Sequence, residues 1–143
     1  MFLITDKPLE LQSLIAKAVS EEDGAVASFL GVVRRHSRGN TVLYMEYEAY
    51  KEMAEKVLRQ IGDEVRDRWP VDQVAIHHRV GRLEIGETSL VVVVTSPHRV
   101  EAFEACRYAV ERVKAIAPIW KKEVWEGGES WVEGDELVAE GRP

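Results

Sequence analysis

Cys106 is the only cysteine in this chain, so no internal disulfide is possible and stability must come from a buried core. Long apolar runs are missing as well. The unbroken stretch Leu90 to Val94 has the length of a buried strand, far short of the roughly 20 residues that cross a bilayer, so no membrane span is expected. No secretory leader is legible, which points to a cytoplasmic protein. Metal-ligand spacing is absent too. His77 and His78 are adjacent and so face opposite sides of a strand, with no carboxylate or cysteine at matching spacing, and neither a metal nor a cofactor is expected. Positive charge is in deficit, with 19 Lys and Arg against 25 Asp and Glu and a net charge of −6, whereas a general nucleic-acid binder shows a dominant basic face. No internal repeat, low-complexity tract or linker interrupts the chain.

What remains is 143 residues with 45% hydrophobic content, enough for one globular domain over 1–143, whose last residues, 134–143, read as a flexible tail. Its strands and helices mix without strict βαβ alternation. That favours an α+β fold, a largely antiparallel sheet covered by helices.

In order, Phe2 to Thr5 reads as a strand, and Asp6 and Pro8 introduce a helix with Leu11, Leu14, Ile15, Ala18 and Val19 on one face, ending near Asp23-Gly24. Ala25 to Val33 reads as a second strand. It runs into the basic loop Arg34, Arg35, His36, Ser37, Arg38, Gly39, Asn40, and Thr41 to Tyr50 follows with Leu43, Met45, Tyr47 and Ala49 on its apolar side, which implies a hairpin. Lys51 to Trp69 is a second helix that stops before Pro70. Val74 to Val80 and Ser89 to Thr95 are further strands, and Val124 to Val132 reads as a hairpin turning at Gly127-Gly128.

The chain is organised around Ser96 to Glu123. Ser96 suits a helix N-cap and Pro97 the first helical position, which puts His98 and Arg99 in the first turn beside free backbone N–H groups and the positive end of the helix dipole. Cations there oppose the dipole, and an anionic ligand explains them better than helix stability does. Phe103, Cys106, Ala109, Val110, Val113 and Ala117 form an apolar stripe with Lys114 at its edge, and Pro118 ends the helix. The extended segment Ile119 to Glu123 then carries a second lysine back past the helix end, so that two amines can face one pocket. Cys106 lies in the stripe, where burial makes a thiol inert, and is read as core.

Bland readings stand beside these. Lys114 can run its methylenes over the core with its amine in water, Lys121 and Lys122 can be a solvated strand face, and the basic loop a charged tip. A non-catalytic module binding an anionic metabolite would use the same helix start and loop. Nucleic acid would lack an aromatic stacking platform here.

Taken together, Thr95-Ser96-Pro97-His98-Arg99, Ala102-Phe103-Glu104-Ala105, Lys114 and Ala117-Pro118-Ile119-Trp120-Lys121-Lys122-Glu123 resemble the signature of the large, catalytic subunit of molybdopterin synthase. Gly31-Val32-Val33-Arg34, Trp69-Pro70 and His78-Arg79-Val80-Gly81 resemble that family in the same order, and the similarity runs to about Glu133. The resemblance implies an α/β hammerhead fold with a small inserted subdomain. It implies a sulfurtransferase of molybdenum cofactor biosynthesis, a homodimer at the centre of a heterotetramer with two copies of a small ubiquitin-like sulfur carrier. The carrier's C-terminal Gly-Gly thiocarboxylate would supply the sulfur that turns cyclic pyranopterin monophosphate into the dithiolene of molybdopterin. Carried over by position, Lys114 and Lys121 would be the catalytic lysines. Val32, Val33 and Arg34, His98 and Arg99, and Lys122 and Glu123 would be substrate-binding. A thiocarboxylate and a phosphorylated pterin are both anions, so the cations Arg34, Arg99, Lys114 and Lys121 suit the chemistry that the resemblance implies.

Overall fold

The computed structural model describes residues 1–132, and the expected tail, 134–143, lies outside them. Two sheets make up the frame. The first has the order β1-β5-β7-β2, built from β1 (Phe2–Thr5), β2 (Ala25–Val32), β5 (Gln73–Arg79) and β7 (Thr88–Ser96). All its pairings are antiparallel except β1 with β5. The second holds β3 (His36–Ser37), β4 (Asn40–Ala49), β8 (Ile119–Trp125) and β9 (Gly128–Val132) in that order, with β6 (Gly81–Glu84) also paired to β4.

Helices cover both faces of the first sheet. Against one pack α2 (Lys51–Arg68) and α3 (Arg99–Ile116), burying Leu58, Ile61, Val65, Ala105, Ala109 and Val113 on Ile76, Leu90, Val92 and Val94. On the other, α1 (Leu11–Ala18) sets Leu14 and Ala18 on Ala75, Val91 and Val93. Strand β7 is therefore sandwiched, which is why Leu90 to Val94 is apolar without alternation. The second sheet has its own smaller core of Val33, Val42, Met45 and Leu83. The α+β architecture matches the expectation, and so do the boundaries of β1 and α2, to within a residue or two; the terminal hairpin turns where expected, but its first strand begins at Ile119, five residues before Val124.

Several details differ. Helix α1 stops at Ala18, well before Asp23-Gly24. The hairpin implied between the second strand and the strand after the basic loop does not form. β2 pairs with β7 and β4 with β8, in different sheets, and the basic loop instead folds on itself as the short β3–β4 hairpin, with Arg38 and Gly39 at positive φ in its turn. Leu43 is 51% exposed, because an irregularity between Val42 and Tyr44 shifts the phase of alternation and buries Val42 in its place. Phe103 is 68% exposed. It stands about 115° around α3 from the centre of the stripe formed by Ala102, Ala105, Ala109 and Val113, and among the described residues β2 is an edge strand with no neighbour to cover it.

Candidate active site

The end of α3 and the start of β8 bring two lysines together. Ala117 leaves helical geometry at φ −71° and ψ 133°, and Pro118 has no N–H to continue the helix, so the chain enters β8 at Ile119. Lys114 occupies the last turn of α3, where a cation complements the negative end of the dipole. In β8, Lys121 stands opposite Tyr47 of β4 and Lys122 opposite Glu46. Lys121 therefore shares a face with Ile119 and Glu123, while Lys122 points the other way. Lys114 and Lys121 line one pocket with Gly31, Tyr47, His78, Ser89 and the apolar side chains of Leu90, Val113, Ile119 and Val132.

The polar floor of this pocket is ordered. His78 is 6% exposed, its Nδ1 lies 2.8 Å from the Arg79 carbonyl oxygen, and its ring meets that of Tyr47 edge to face at 5.1 Å. Burial lowers the His78 pKa to about 4, and the charges of Lys114 and Lys121 add to the effect although the Arg79 contact opposes it. Burial raises the Tyr47 phenol, whose hydroxyl is hydrogen-bonded to Ser89. Ser89 in turn donates to the Gly31 carbonyl at 3.2 Å.

The other expected site residues lie elsewhere. Ser96 does not cap α3. It is still paired with Ala25 at the end of β7, and its carbonyl accepts from Gly24, so the strand persists and the helix begins at Arg99 with His98 in the cap position. His98 and Arg99 are exposed at that mouth. Arg99 is some 22 Å from Lys114 along the helix at 1.5 Å per residue, so one chain does not bring the start of α3 to the lysine pocket. Val32 is exposed and Val33 buried, and Arg34 is exposed where the chain leaves β2 for the basic hairpin. Lys122 ion-pairs with Glu46 and Glu129, each at 3.1 Å, on the far face of the second sheet. Glu123 is 1% exposed and accepts the Ser37 hydroxyl at 2.7 Å, which ties the basic hairpin to β8. Cys106 is buried, and that apolar setting pushes its thiol up to about 11, in line with its reading as core.

No spacing in the sequence marks Tyr47 or Ser89 as pocket residues, and His78 carries a signal of burial without one of role. The available signal was a histidine placed with Val74 and Ile76 on the apolar side of its strand, where an imidazole is buried and needs partners.

A two-sheet α+β fold that holds a pair of lysines at a helix-to-strand junction belongs to a definite class. The chain is a member of the MoaE protein family, which it matches over residues 4–116, and so of the enzyme class of molybdopterin synthase catalytic subunits. The molybdopterin synthase catalytic subunit of Halalkalibacterium halodurans is 50% identical over 142 residues, covering 99% of this chain and 90% of that protein. The crystal structure of molybdopterin synthase from Staphylococcus aureus matches with a TM-score of 0.89 at 45% identity, over 92% of this chain and 96% of the other. A protein–protein complex of subunits 1 and 2 of molybdopterin-converting factor from Helicobacter pylori shares the fold, with a TM-score of 0.75 at 21% identity over 92% of this chain and 89% of that one.

Proposed function

We propose that this chain moves sulfur from the C-terminal thiocarboxylate of a small ubiquitin-like carrier to cyclic pyranopterin monophosphate, forming the dithiolene of molybdopterin in two transfers. The observation that carries the reading is the convergence of Lys114 and Lys121 on one pocket. Leu90, Val113, Ile119, Val132 and Gly31 make up the apolar part of its lining beside the polar floor, so the space suits an extended tail without side chains. Lys114 pairs with the terminal anion of that tail and with the oxyanion that develops as sulfur leaves the acyl carbon, and Lys121 holds the pterin or its phosphate. In water the two anionic substrates repel each other, and the amines offset that repulsion where solvent is partly excluded.

The helix start and Arg34 supply the rest of the anion site, His98 and Arg99 by their place at the mouth of α3 and Arg34 by its place beyond Gly31. Because Arg99 lies some 22 Å from Lys114 along one helix, the reading requires His98 and Arg99 to reach the pocket of a second copy, which a homodimer provides. The relative from Helicobacter pylori is itself a two-subunit complex, in keeping with a carrier docked on each copy. The test is direct. Purified protein mixed with thiocarboxylated carrier and the cyclic pterin should yield dithiolene product, and absence of product with a competent carrier would overturn the proposal.

A further inference from the structure

The lysine pocket contains an acceptor that the sulfur-transfer reading leaves unused. His78 sits at the end of β5 with its ring against Tyr47 and its edge on the pocket. A carbonyl oxygen only accepts, so the 2.8 Å contact from Nδ1 to the Arg79 oxygen places the ring proton on Nδ1 and leaves Nε2 as a bare lone pair in the neutral imidazole. The ring has good reason to stay neutral. It is buried, and among the described residues the charged groups facing it are Lys114 from α3 and Lys121 from β8, both cations; its other described neighbours, Tyr47 from β4 and Ser89 from β7, are neutral hydroxyls. The two ammonium groups are donors only, and Tyr47 and Ser89 are engaged with each other and with the Gly31 carbonyl. Among the described side chains lining the pocket, Nε2 is thus a ring acceptor open to a ligand, beside the lone pairs that the two hydroxyls keep.

We infer that His78 Nε2 accepts a hydrogen bond from an amide N–H of the molecule bound between the two lysines, and so orients that molecule against them. The chemistry of the partner follows from what surrounds Nε2. An incoming cation is repelled by the lysines and an anion by the lone pair, so a neutral donor fits, and an amide N–H beside an anionic end matches both halves of the pocket. The inference rests on the sulfur-transfer reading, which offers two such amides: the last peptide bond of a Gly-Gly tail, and the lactam N–H of a pterin ring.

Nitrogen-15 spectra of the imidazole separate the sources. The whole protein is titrated in one arm with carrier whose tail ends in an unreactive carboxylate, and in the other with the cyclic pterin phosphate. The Nε2 resonance should move in one arm while Nδ1 holds its place, and the arm in which it moves names the donor. Saturable binding in both arms with an unmoved Nε2 would overturn the inference and leave the sulfur-transfer reading standing. Failure of both ligands to bind would end the two together. Turnover gives a second readout through His78→Asn, whose amide nitrogen can replace Nδ1 as donor to Arg79 while nothing replaces Nε2. Its kcat/KM should fall roughly 10- to 100-fold with near-ultraviolet dichroism unchanged. A folded His78→Asn with wild-type kcat/KM refutes the assignment, and the nitrogen spectra decide it if that variant does not fold.

Discussion

The hydroxyl of Ser37 donates to the carboxylate of Glu123 at 2.7 Å, joining the basic hairpin to β8 across 86 positions of chain, with both residues buried. This bond sets how the β3–β4 hairpin, and with it the chain leaving Arg34, sits beside the strand that carries Lys121. A buried carboxylate that loses a donor bears the desolvation cost of the missing bond. Ser37→Ala should therefore lower stability by about 1 to 3 kcal/mol in denaturant unfolding and weaken pterin affinity more than carrier docking. Unchanged stability and affinity would mean that the hairpin is held by other contacts.

Lys114 and Lys121 differ in setting from Lys122, and the difference is testable. Lys114→Ala should remove most turnover at saturating carrier and pterin, a loss of roughly 3 kcal/mol or more in transition-state stabilisation, with the fold intact. Lys121→Ala should also damage turnover, with more of its effect in pterin affinity. Lys122 faces Glu46 and Glu129 on the other side of the sheet, so Lys122→Ala should cost less activity than either. Kinetics of the three variants side by side check the order, and near-wild-type product formation by Lys114→Ala would remove it from the reaction.

Most of this pocket's frame was readable in advance because it rests on local chemistry. Pro118 has to end a helix, and alternation after it has to turn Lys121 and Lys122 to opposite faces. What escaped the sequence depends on partners far along the chain. Ser96-Pro97 has the composition of a helix start, yet pairing of Ser96 with Ala25 keeps it in β7. Leu43 keeps the apolar period, yet the irregularity beside Val42 turns it outward. Tyr47, His78 and Ser89 come from three strands, and no spacing within one strand shows that β4 and β5 meet at the foot of α3.

The neutral state of His78 makes stability depend on pH. Its folded pKa, about 4, lies below the ordinary 6.5, chiefly through burial, so the unfolded chain takes up a proton first as pH falls. The stabilisation is full above pH 6.5 and is lost progressively down to about 4, by on the order of 3 kcal/mol. Glu64 acts in a lower window. Hydrogen bonds from Arg112 above all hold its carboxyl at about 2, so its contribution is present above 4.5 and fades only toward pH 2. Denaturant unfolding between pH 7 and pH 4 should show a steep loss in the wild type and a shallower one in His78→Asn. Equal slopes would show that His78 is not the titrating group.

Gly24 links the end of β7 to the mouth of α3. Its N–H donates to the Ser96 carbonyl at 3.0 Å, and a Cβ built on it would lie 2.4 Å from the Pro97 carbonyl oxygen. That atom belongs to the backbone, so relief comes only by displacing the segment that presents His98 and Arg99. Gly24→Ala should cost about 1 to 3 kcal/mol of stability and reduce affinity for the phosphorylated pterin while leaving the lysine pocket intact. Calorimetry of pterin binding, with thermal unfolding alongside, measures both, and an alanine variant with wild-type values in each would show that the loop absorbs the added carbon freely.

The separation of Arg99 from Lys114 along α3 bears on assembly. If a working site takes its lysines from one copy and its helix mouth from another, defects at the two ends can complement. Lys114→Ala and Arg99→Ala homodimers each carry a defect in both sites. In a mixed dimer, however, one site collects both defects and the other collects none. With equal amounts and free exchange, half of the dimers are mixed and one of their two sites is intact, so activity should recover to roughly a quarter of wild type. A site confined to one chain recovers nothing, because every copy still carries its own defect. The measurement is product formation before and after co-refolding the two variants, with mixed dimers verified by differently tagged chains. Verified mixed dimers with no activity above that of the parents would sink the shared site and require the phosphate contacts of each pocket to come from its own chain.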